Sequence, residues 1–352
     1  MCTFALLIMD SLTQIVLGAA CGEAVLGKKI GNKALLFGAI GGTIPDLDVF
    51  IGSWLYNNEI QAMAFHRGFM HSILFSIFGA FVFGWLFFKL YDKGKRFGST
   101  KIKDWQILFF WSLFTHIILD SFTPYGTQLF CPFLDYRVAF NNISVVDPLY
   151  TVPFLICLIV LMFFKRQKKQ RLFWLKLGLG ISSFYMVLTF MNKFRINSIF
   201  KESLQTQNIA FNRFRAQPTI FNNLLWYGVA ETDTAFYLGF YSVFDEIKEI
   251  NDWQIIEKEP SVLDMSGQDL ATLVWFSDGY YKIRMSDVEG EYLYSDLRYA
   301  LLNPEDAKSS LFKFRIFKKE GRWDMKSSGP DFDKNATTES IFGPMIKRLK
   351  GN

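Results

Sequence analysis

Residues 66–90 read HRGFMHSILFSIFGAFVFGWLFFKL. The apolar segment 68–90 is long enough to cross a bilayer, which takes about 20 residues. The chain has three histidines, and two of them, His66 and His71, lie in this stretch. The third, His116, lies near the end of another hydrophobic segment, four residues before Asp120. Because imidazole and carboxylate are the usual ligands of zinc, manganese and iron, this use of histidine predicts a metal site.

Composition divides the chain into a membrane part and a soluble part. Of 352 residues, 51% are hydrophobic and 39 are phenylalanine, yet 20% are charged, which is too many for a chain that lies wholly in the membrane. The net charge of +5 does not indicate nucleic-acid binding, because the basic residues cluster between hydrophobic segments. The four cysteines form no CxxC pair, which disfavours a thiolate zinc site or a disulfide framework.

The first 195 residues predict a membrane-embedded bundle of about six apolar helices, which we place in a domain spanning 9–195. The hydrophobic segments are approximately 11–27, 34–51, 68–90, 105–122, 148–164 and 172–191. Gly41, Gly42 and Pro45 interrupt the second segment, as in a broken or re-entrant helix. We expect the natural start at Met9, with Asp10 or Ser11 as the N-cap of the first helix.

The loops between these segments differ sharply in charge. Fifteen lysines and arginines lie in three of the loops, whereas the other two loops contain only Arg67 and Arg137. The fifteen are Lys28, Lys29, Lys33, Lys89, Lys93, Lys95, Arg96, Lys101, Lys103, Lys165, Arg166, Lys168, Lys169, Arg171 and Lys176. Since loops rich in Lys and Arg remain in the cytoplasm, this asymmetry predicts that both chain ends are extracytoplasmic.

This topology places every candidate ligand at the same, outer face of the membrane. We predict that one or two divalent ions are held by Asp46, Asp48, His66, His71, His116 and Asp120. His116 and Asp120 share one face of a helix, and Gly68 breaks the chain between His66 and His71. Pro45 disfavours a helical Ile44, so we expect Asp46 and Asp48 to share one side of an extended stretch.

Three residues are predicted to act in catalysis. Arg67 can clamp a phosphate or carboxylate, because its planar guanidinium donates two parallel hydrogen bonds. Asp48 can serve as a general base or as an outer-sphere partner of the metal ligands, since six ligands exceed what one tetrahedral zinc needs. Asp10, at the outer end of the first segment, is the third candidate.

The region 196–352 predicts a smaller β-rich (α+β) soluble domain, extracytoplasmic, with a first helix near 195–215. Alternating aromatic runs predict strands, and Ser277-Asp278-Gly279 predicts a hairpin turn. The runs are Ala235–Tyr241, Thr272–Phe276, Tyr280–Arg284 and Leu311–Ile316. The region contains no histidine.

Four short motifs resemble those of the LexA-regulated, inner-membrane-associated metal-dependent hydrolases of bacteria. They are Asp10-Ser11-Leu12-Thr13, Pro45-Asp46-Leu47-Asp48, His66-Arg67-Gly68-x-x-His71-Ser72 and His116-x-x-x-Asp120-x-x-Thr123-x-Tyr125-Gly126-Thr127. The resemblance covers about residues 9–165 and implies a hydrolase of the bacterial inner membrane. One departure is Gln14, where many relatives carry a histidine.

Three functions from different classes remain open. The first is a membrane-bound metal-dependent hydrolase, with zinc or manganese, that cleaves a phosphoester or ester in a lipid-linked or membrane-associated substrate. The loose similarity of the ligand order to bacterial phospholipase C and P1-type nucleases favours phosphoesters. The second is a metal transporter or sensor without hydrolytic activity, and a scaffold whose external domain binds a partner is a third possibility. No nucleic-acid partner is expected.

Overall fold

A computed structural model describes residues 2–258, 263–301, 310, 312–328 and 338–351, with side chains described from Ser11 onward and not for 338–341. The chain divides into two compact units. The membrane unit comprises Phe4–Ile51 and Phe65–Thr189. The β-rich unit comprises Met1–Thr3, Gly52–Ala64 and Phe190–Asn352.

Helices occur at all six predicted hydrophobic positions. They are α1 (Cys2–Ile30), α2 (Asn32–Thr43) with α3 (Asp48–Leu55), α5 (Ile73–Tyr91), α6 (Ile102–Phe122), α7 (Pro148–Met162) and α8 (Lys169–Thr206). Helix α4 (Glu59–Phe65) lies between α3 and α5. Because α1 already begins at Cys2, the predicted N-cap at Asp10 or Ser11 is wrong.

Fewer of these helices can span a membrane than the sequence predicted. Among the described residues, α5, α6 and α8 are long and apolar enough to do so. The bent pair Asn32–Thr43 and Pro45–Leu55, with 44° between its halves, makes a fourth if it is one span. Helix α7 is apolar but shorter. The predicted bundle of about six apolar helices is therefore confirmed only in part, because three of the helices, or four with the bent pair, are long and apolar enough to cross a membrane.

Glycines bring α1 and α2 into close contact. A Cβ atom added at Gly18 would overlap the carbonyl oxygen of Gly38, and one added at Gly22 would overlap the carbonyl oxygen of Ala34. A Cβ at Gly42 would lie 2.5 Å from the carbonyl oxygen of Gln14. Small residues at such spacing let helix backbones approach within a membrane, where apolar burial alone gives no association. This contact holds α2 against α1, and the aspartates follow directly after α2 in the chain.

The break after α2 differs from the prediction. Ile44 has helical backbone angles (φ −56°, ψ −44°), and Pro45–Leu47 form a 3-10 turn that leads directly into α3. The helical conformation before a proline is disfavoured but remains possible. Asp46 and Asp48 therefore lie on a tight helical turn and face different directions, rather than sharing one side of an extended stretch.

The β-rich unit contains two four-stranded antiparallel sheets, which confirms the predicted class of this region. The first sheet has the order β1 (Arg213–Pro218), β2 (Leu225–Glu231), β3 (Ala235–Ser242), β4 (Gln254–Glu257). The second has the order β5 (Tyr281–Met285), β6 (Tyr292–Asp296), β7 (Lys313–Lys319), β8 (Arg322–Ser327). Helix α10 (Thr338–Leu349) follows the second sheet in the chain. Three of the four predicted aromatic runs overlap strands, although Leu311 lies outside the described residues.

The strand predicted for the fourth aromatic run is wrong. Thr272–Phe276 lies in helix α9 (Gln268–Phe276), whose buried Leu270, Leu273 and Phe276 recur every three residues. The predicted hairpin turn is instead the C-terminal turn of this helix, where the N–H of Gly279 donates to the carbonyl oxygen of Val274. A short apolar run bounded by a turn signal is compatible with either state, and here packing decided.

Helix α4 belongs to the β-rich unit although it lies between membrane segments in the chain. Ile60 is fully buried in the core formed by α9 and the second sheet. The side chain of Asn58 donates to the carbonyl oxygen of Trp323 at 2.6 Å. The backbone N–H of Glu59 donates to Asp324 Oδ1 at 2.8 Å. The segment immediately before His66 is thus held by the C-terminal sheet.

Candidate metal centre

Four side chains of the membrane unit converge on one point. Asp46, His71, His116 and Asp120 each present one ligand atom, and all four atoms lie within 4.8 Å of one another. His71 Nε2 lies 3.2 Å from His116 Nε2 and 3.2 Å from Asp120 Oδ2. Asp46 Oδ1 lies 3.4 Å from His71 Nε2 and 3.5 Å from His116 Nε2.

These separations match the coordination shell of a single ion. A tetrahedron with metal–ligand bonds of about 2.0–2.1 Å has edges of about 3.3–3.4 Å. Two imidazole nitrogens and two carboxylate oxygens are donors that zinc and manganese accept. The cluster can therefore hold one divalent cation, and its donor set does not select between these metals.

Three different local structures deliver the four ligands. His116 and Asp120 are one turn apart in α6, as their spacing predicted. His71 ends the 3-10 turn Phe69–His71, directly before Ser72, whose hydroxyl oxygen accepts from the N–H of Phe75 and caps α5. Asp46 lies in the turn Pro45–Leu47. Each ligand therefore sits at or beside the end of an apolar helix.

The four ligand side chains are largely buried. The side chains of His71 and His116 are fully buried, and that of Asp120 is 1% exposed, whereas Asp46 is 18% exposed. Asp120 Oδ2 is buried and forms no hydrogen bond of regular geometry, although three nitrogens lie within 3.5 Å of it. Arg67 Nε is one of these three nitrogens, and a bound cation would add a second positive charge beside this buried carboxylate. Asp46 is the most exposed of the four ligands.

A second layer of contacts orients the two imidazoles. His116 Nδ1 donates to the carbonyl oxygen of Gly42 at 2.7 Å, which leaves Nε2 as the acceptor that faces the cluster. His71 Nδ1 lies 3.0 Å from Asp48 Oδ2. Metal-binding histidines commonly use the second nitrogen in this way, because the partner sets both the tautomer and the ring orientation.

The carboxylates around His71 favour a positive charge at this ring. Burial alone lowers the pKa of His71, but the charge of Asp48 and the contacts with Asp120 and Asp46 raise it well above its usual range. The same carboxylates that hold a proton on this ring would hold a metal ion in its place. Metal binding here must therefore displace a proton, and it weakens as the pH falls.

The structure separates Asp48 and His66 from the four converging ligands. Asp48 is 1% exposed, and its Oδ1 lies 2.7 Å from His66 Nδ1. Its Oδ2 accepts from the backbone N–H of Arg67 at 3.0 Å. Asp48 thus holds His66 on one side and His71 on the other, and neither Asp48 nor His66 belongs to the four-ligand group. The side chain of Asp10 lies outside the described residues.

Two further residues line the cluster. Arg67 Nε lies 3.3 Å from Asp120 Oδ2, and its Nη1 donates to Thr123 Oγ1 at 2.8 Å. Its φ of 60° is unusual for a residue other than glycine, and such strain is concentrated at functional sites. Gln14 Nε2 donates to Asp120 Oδ1 at 2.8 Å, which directs Oδ2 towards the histidines. The sequence showed Gln14 only as a departure from relatives and did not indicate this contact.

The membrane unit encloses a buried cluster of two histidines and two aspartates. This combination defines a membrane protein with a candidate divalent-metal centre. The sequence profile of the YdjM inner membrane protein family matches residues 9–196, and the chain belongs to this family. The family confirms the expected inner-membrane association, while its description names no reaction.

One relative is the uncharacterized protein YfhP of Bacillus subtilis (strain 168). It is 30% identical over 150 residues, which are 40% of this chain and 42% of YfhP. The match therefore spans less than half the length of that relative. No solved structure matches the chain.

Proposed function

We propose that the protein is a membrane-bound metal-dependent hydrolase that cleaves a phosphoester or ester in a membrane-associated substrate. The observation that carries this proposal is the set of 3.2–3.5 Å separations among His71 Nε2, His116 Nε2 and the two aspartate oxygens. Four ligands at these separations favour one ion, zinc or manganese, over two. The 18% exposure of Asp46 supports access from one side, as a hydrolase needs.

The residues around the cluster can support hydrolysis. A divalent cation bound there would lower the pKa of a coordinated water from about 16 towards 7. Asp48 Oδ1 lies 2.7 Å from His66 Nδ1 and holds the imidazole ring in place. His66 Nε2 can therefore accept a proton from the attacking water or return it to the leaving group. His66 remains 11% exposed, unlike the buried His71. We therefore assign the general base to His66 and a positioning role to Asp48.

The competing transporter needs polar groups that continue through the helices. Glu23 is the acidic residue of α1 that could serve, but both of its oxygens are engaged by Arg171, at 2.6 Å and 2.5 Å. The same guanidinium also donates to Asn32 Oδ1 at 2.7 Å. A buried carboxylate that is paired with an arginine through two hydrogen bonds stabilises the fold and is poorly suited to bind a cation in transit. This contact favours the hydrolase.

We further propose that the metal centre and the β-rich unit face the extracytoplasmic side. The excess of Lys and Arg in the other loops supports this orientation, because loops rich in these residues remain in the cytoplasm.

Cysteine labelling of intact cells tests this orientation. In a chain freed of its own cysteines, Ser99→Cys in the basic loop is expected to resist a membrane-impermeant maleimide, whereas Asp233→Cys in the β-rich unit reacts. Both positions react after the cells are permeabilised. Labelling of Ser99→Cys in intact cells would reverse the assigned topology.

Metal analysis with a substrate screen tests the hydrolase. The purified full-length protein is expected to contain about one zinc or manganese per chain and to hydrolyse at least one chromogenic phosphoester or lipid ester. Chelation is expected to abolish turnover, and re-addition of the metal to restore it. A protein with one metal per chain and no activity on phosphoester, phospholipid or carboxylic-ester substrates would contradict the hydrolase and favour a transporter or sensor.

A further inference from the structure

Beside the metal ligands, two guanidinium groups pack on one aromatic ring. The Cζ atom of Arg67 lies 4.8 Å from the centre of the Tyr125 ring, and that of Arg137 lies 4.9 Å from it. The Tyr125 ring also lies 5.4 Å from the His66 ring, between centroids. Since Arg67 also reaches Asp120, this group of Arg67, Tyr125 and Arg137 adjoins the metal cluster.

The sequence makes this pairing unusual. Residues 52–72 and 123–147, the two loops poor in positive charge, contain only Arg67 and Arg137 as basic residues. The fold brings both of them onto Tyr125, although 69 residues separate them in the chain. Because basic residues are rare in these two loops, the convergence of Arg67 and Arg137 concentrates their positive charge beside the metal cluster.

Positive charge beside the cluster suits an anionic ligand. Arg67 contacts Asp120 and Thr123, and Arg137 shares the Tyr125 ring with Arg67. Guanidinium groups bind phosphate oxygens through two parallel hydrogen bonds, which suits a phosphoryl group next to a metal.

The chain around Arg137 also presents an apolar surface. The aromatic loop, residues 129–140, is tied back by two hydrogen bonds between Thr127 and Val138, of 3.0 Å and 2.9 Å. Arg137 Nη2 donates to the carbonyl oxygen of Gly126 at 3.0 Å. Large exposed side chains of this loop are Phe130, Phe133, Leu134, Tyr136 and Phe140. Aromatic residues beside a cation are typical of the membrane interface, where rings enter the leaflet and the charge meets head groups.

We propose that Arg137, together with Arg67 and Tyr125, binds the phosphoryl group of an anionic lipid, whose acyl chains lie against the aromatic loop. This proposal rests on the proposed hydrolase and gives its substrate class as a phospholipid-type phosphoester. Arg137 orients the head group, and the metal ligands lie next to it. The loop explains why the ligand is a lipid rather than a soluble phosphate, because it places apolar side chains at the entrance.

Binding measurements without turnover test the proposal. The metal-loaded full-length protein in detergent micelles is titrated against phosphatidic acid with a fluorescent acyl chain, and against diacylglycerol with the same chain. We expect Arg137→Gln to weaken phosphatidic acid binding about tenfold or more, which is the usual effect of losing a charged hydrogen bond. The affinity of Arg137→Lys for phosphatidic acid is expected to lie between those of Arg137→Gln and the original protein. Diacylglycerol is expected to bind weakly to every variant.

The controls separate the subsite from folding and from the source of the phosphate. Lys103→Gln, an exposed basic residue at the start of α6, is expected to bind like the original protein. Phe133→Ser, at a side chain that is 78% exposed, is expected to weaken phosphatidic acid binding and to leave competition by inorganic phosphate unchanged. Displacement by inorganic phosphate at concentrations as low as those of the lipid would overturn the lipid assignment.

Equal binding by Arg137→Gln and the original protein, at equal metal content, would overturn the subsite while leaving the hydrolase intact. Conversely, binding that depends on Arg137 without hydrolysis of any ester would leave the subsite standing and remove only the enzyme assignment.

Discussion

His116→Ala is expected to reduce metal content from about one ion per chain to nearly none. His116 supplies one of four converging ligand atoms, and its Nε2 lies within 3.5 Å of the other three ligands. Loss of one ligand from a four-ligand site typically lowers affinity by orders of magnitude, since three donors leave the ion partly hydrated. The measurement is metal content by mass spectrometry after purification and dialysis, together with hydrolysis of the substrate found by the screen.

Asp48→Asn is the matched comparison, because Asp48 lies beside the cluster without belonging to it. We expect this variant to retain metal at saturating concentrations, with affinity reduced 10- to 100-fold, as for other outer-sphere partners of metal-bound histidines. Its activity should fall further than its affinity, since Asp48 also holds His66. Full metal content in His116→Ala would contradict the four-ligand assignment. Complete loss of metal in Asp48→Asn would show that Asp48 is a direct ligand.

The second large effect is expected from Gly38→Ala. An added Cβ would overlap the carbonyl oxygen of Gly18, which is backbone and cannot rotate away, so α1 and α2 must separate. Overpacking of this kind costs about 1–3 kcal/mol or more. The readouts are the midpoint of thermal unfolding in detergent and the monodisperse fraction in size-exclusion chromatography. Metal content should also fall, because Gly42, on the same face of α2, accepts from His116.

Gly180→Ala is the control for this substitution. Gly180 lies in α8, and no atom within 4 Å would meet an added Cβ. Alanine has the higher helix propensity, so we expect no loss of stability and at most a small gain. An unfolding midpoint of Gly38→Ala equal to that of Gly180→Ala would show that the two helices are not in contact.

Much of the candidate site could be predicted because its signals are local. Three histidines in 352 residues leave few combinations, and the spacing of His116 and Asp120 places both on one helix face. The different roles of Asp46 and Asp48 could not be predicted. The residues are two apart and chemically alike. The helical turn at Ile44–Leu47 places Asp46 beside Nε2 of His71 and His116, and Asp48 between His66 and Nδ1 of His71.

The errors in the β-rich region have a related cause. Thr272–Phe276 is too short for its apolar pattern to distinguish a strand from a helix, and the burial of Leu270 and Leu273 in one core selected the helix. Likewise, the sequence around Ile60 does not indicate that this residue belongs to the core of the β-rich unit, most of which follows Phe190. Such contacts depend on partners more than 200 residues away.

By itself, the sequence determined that this is a membrane protein, that a β-rich region follows the helices, and which few side chains could bind a metal. These properties depend on hydrophobicity, alternation and the rarity of histidine, all of which are readable within short windows. Only the tertiary structure decided which four ligands converge, that Gln14 and Asp48 support them, and that Arg137 meets Arg67 on Tyr125. A ligand set is a property of distances between helices, and those distances arise from packing such as the Gly18–Gly38 contact.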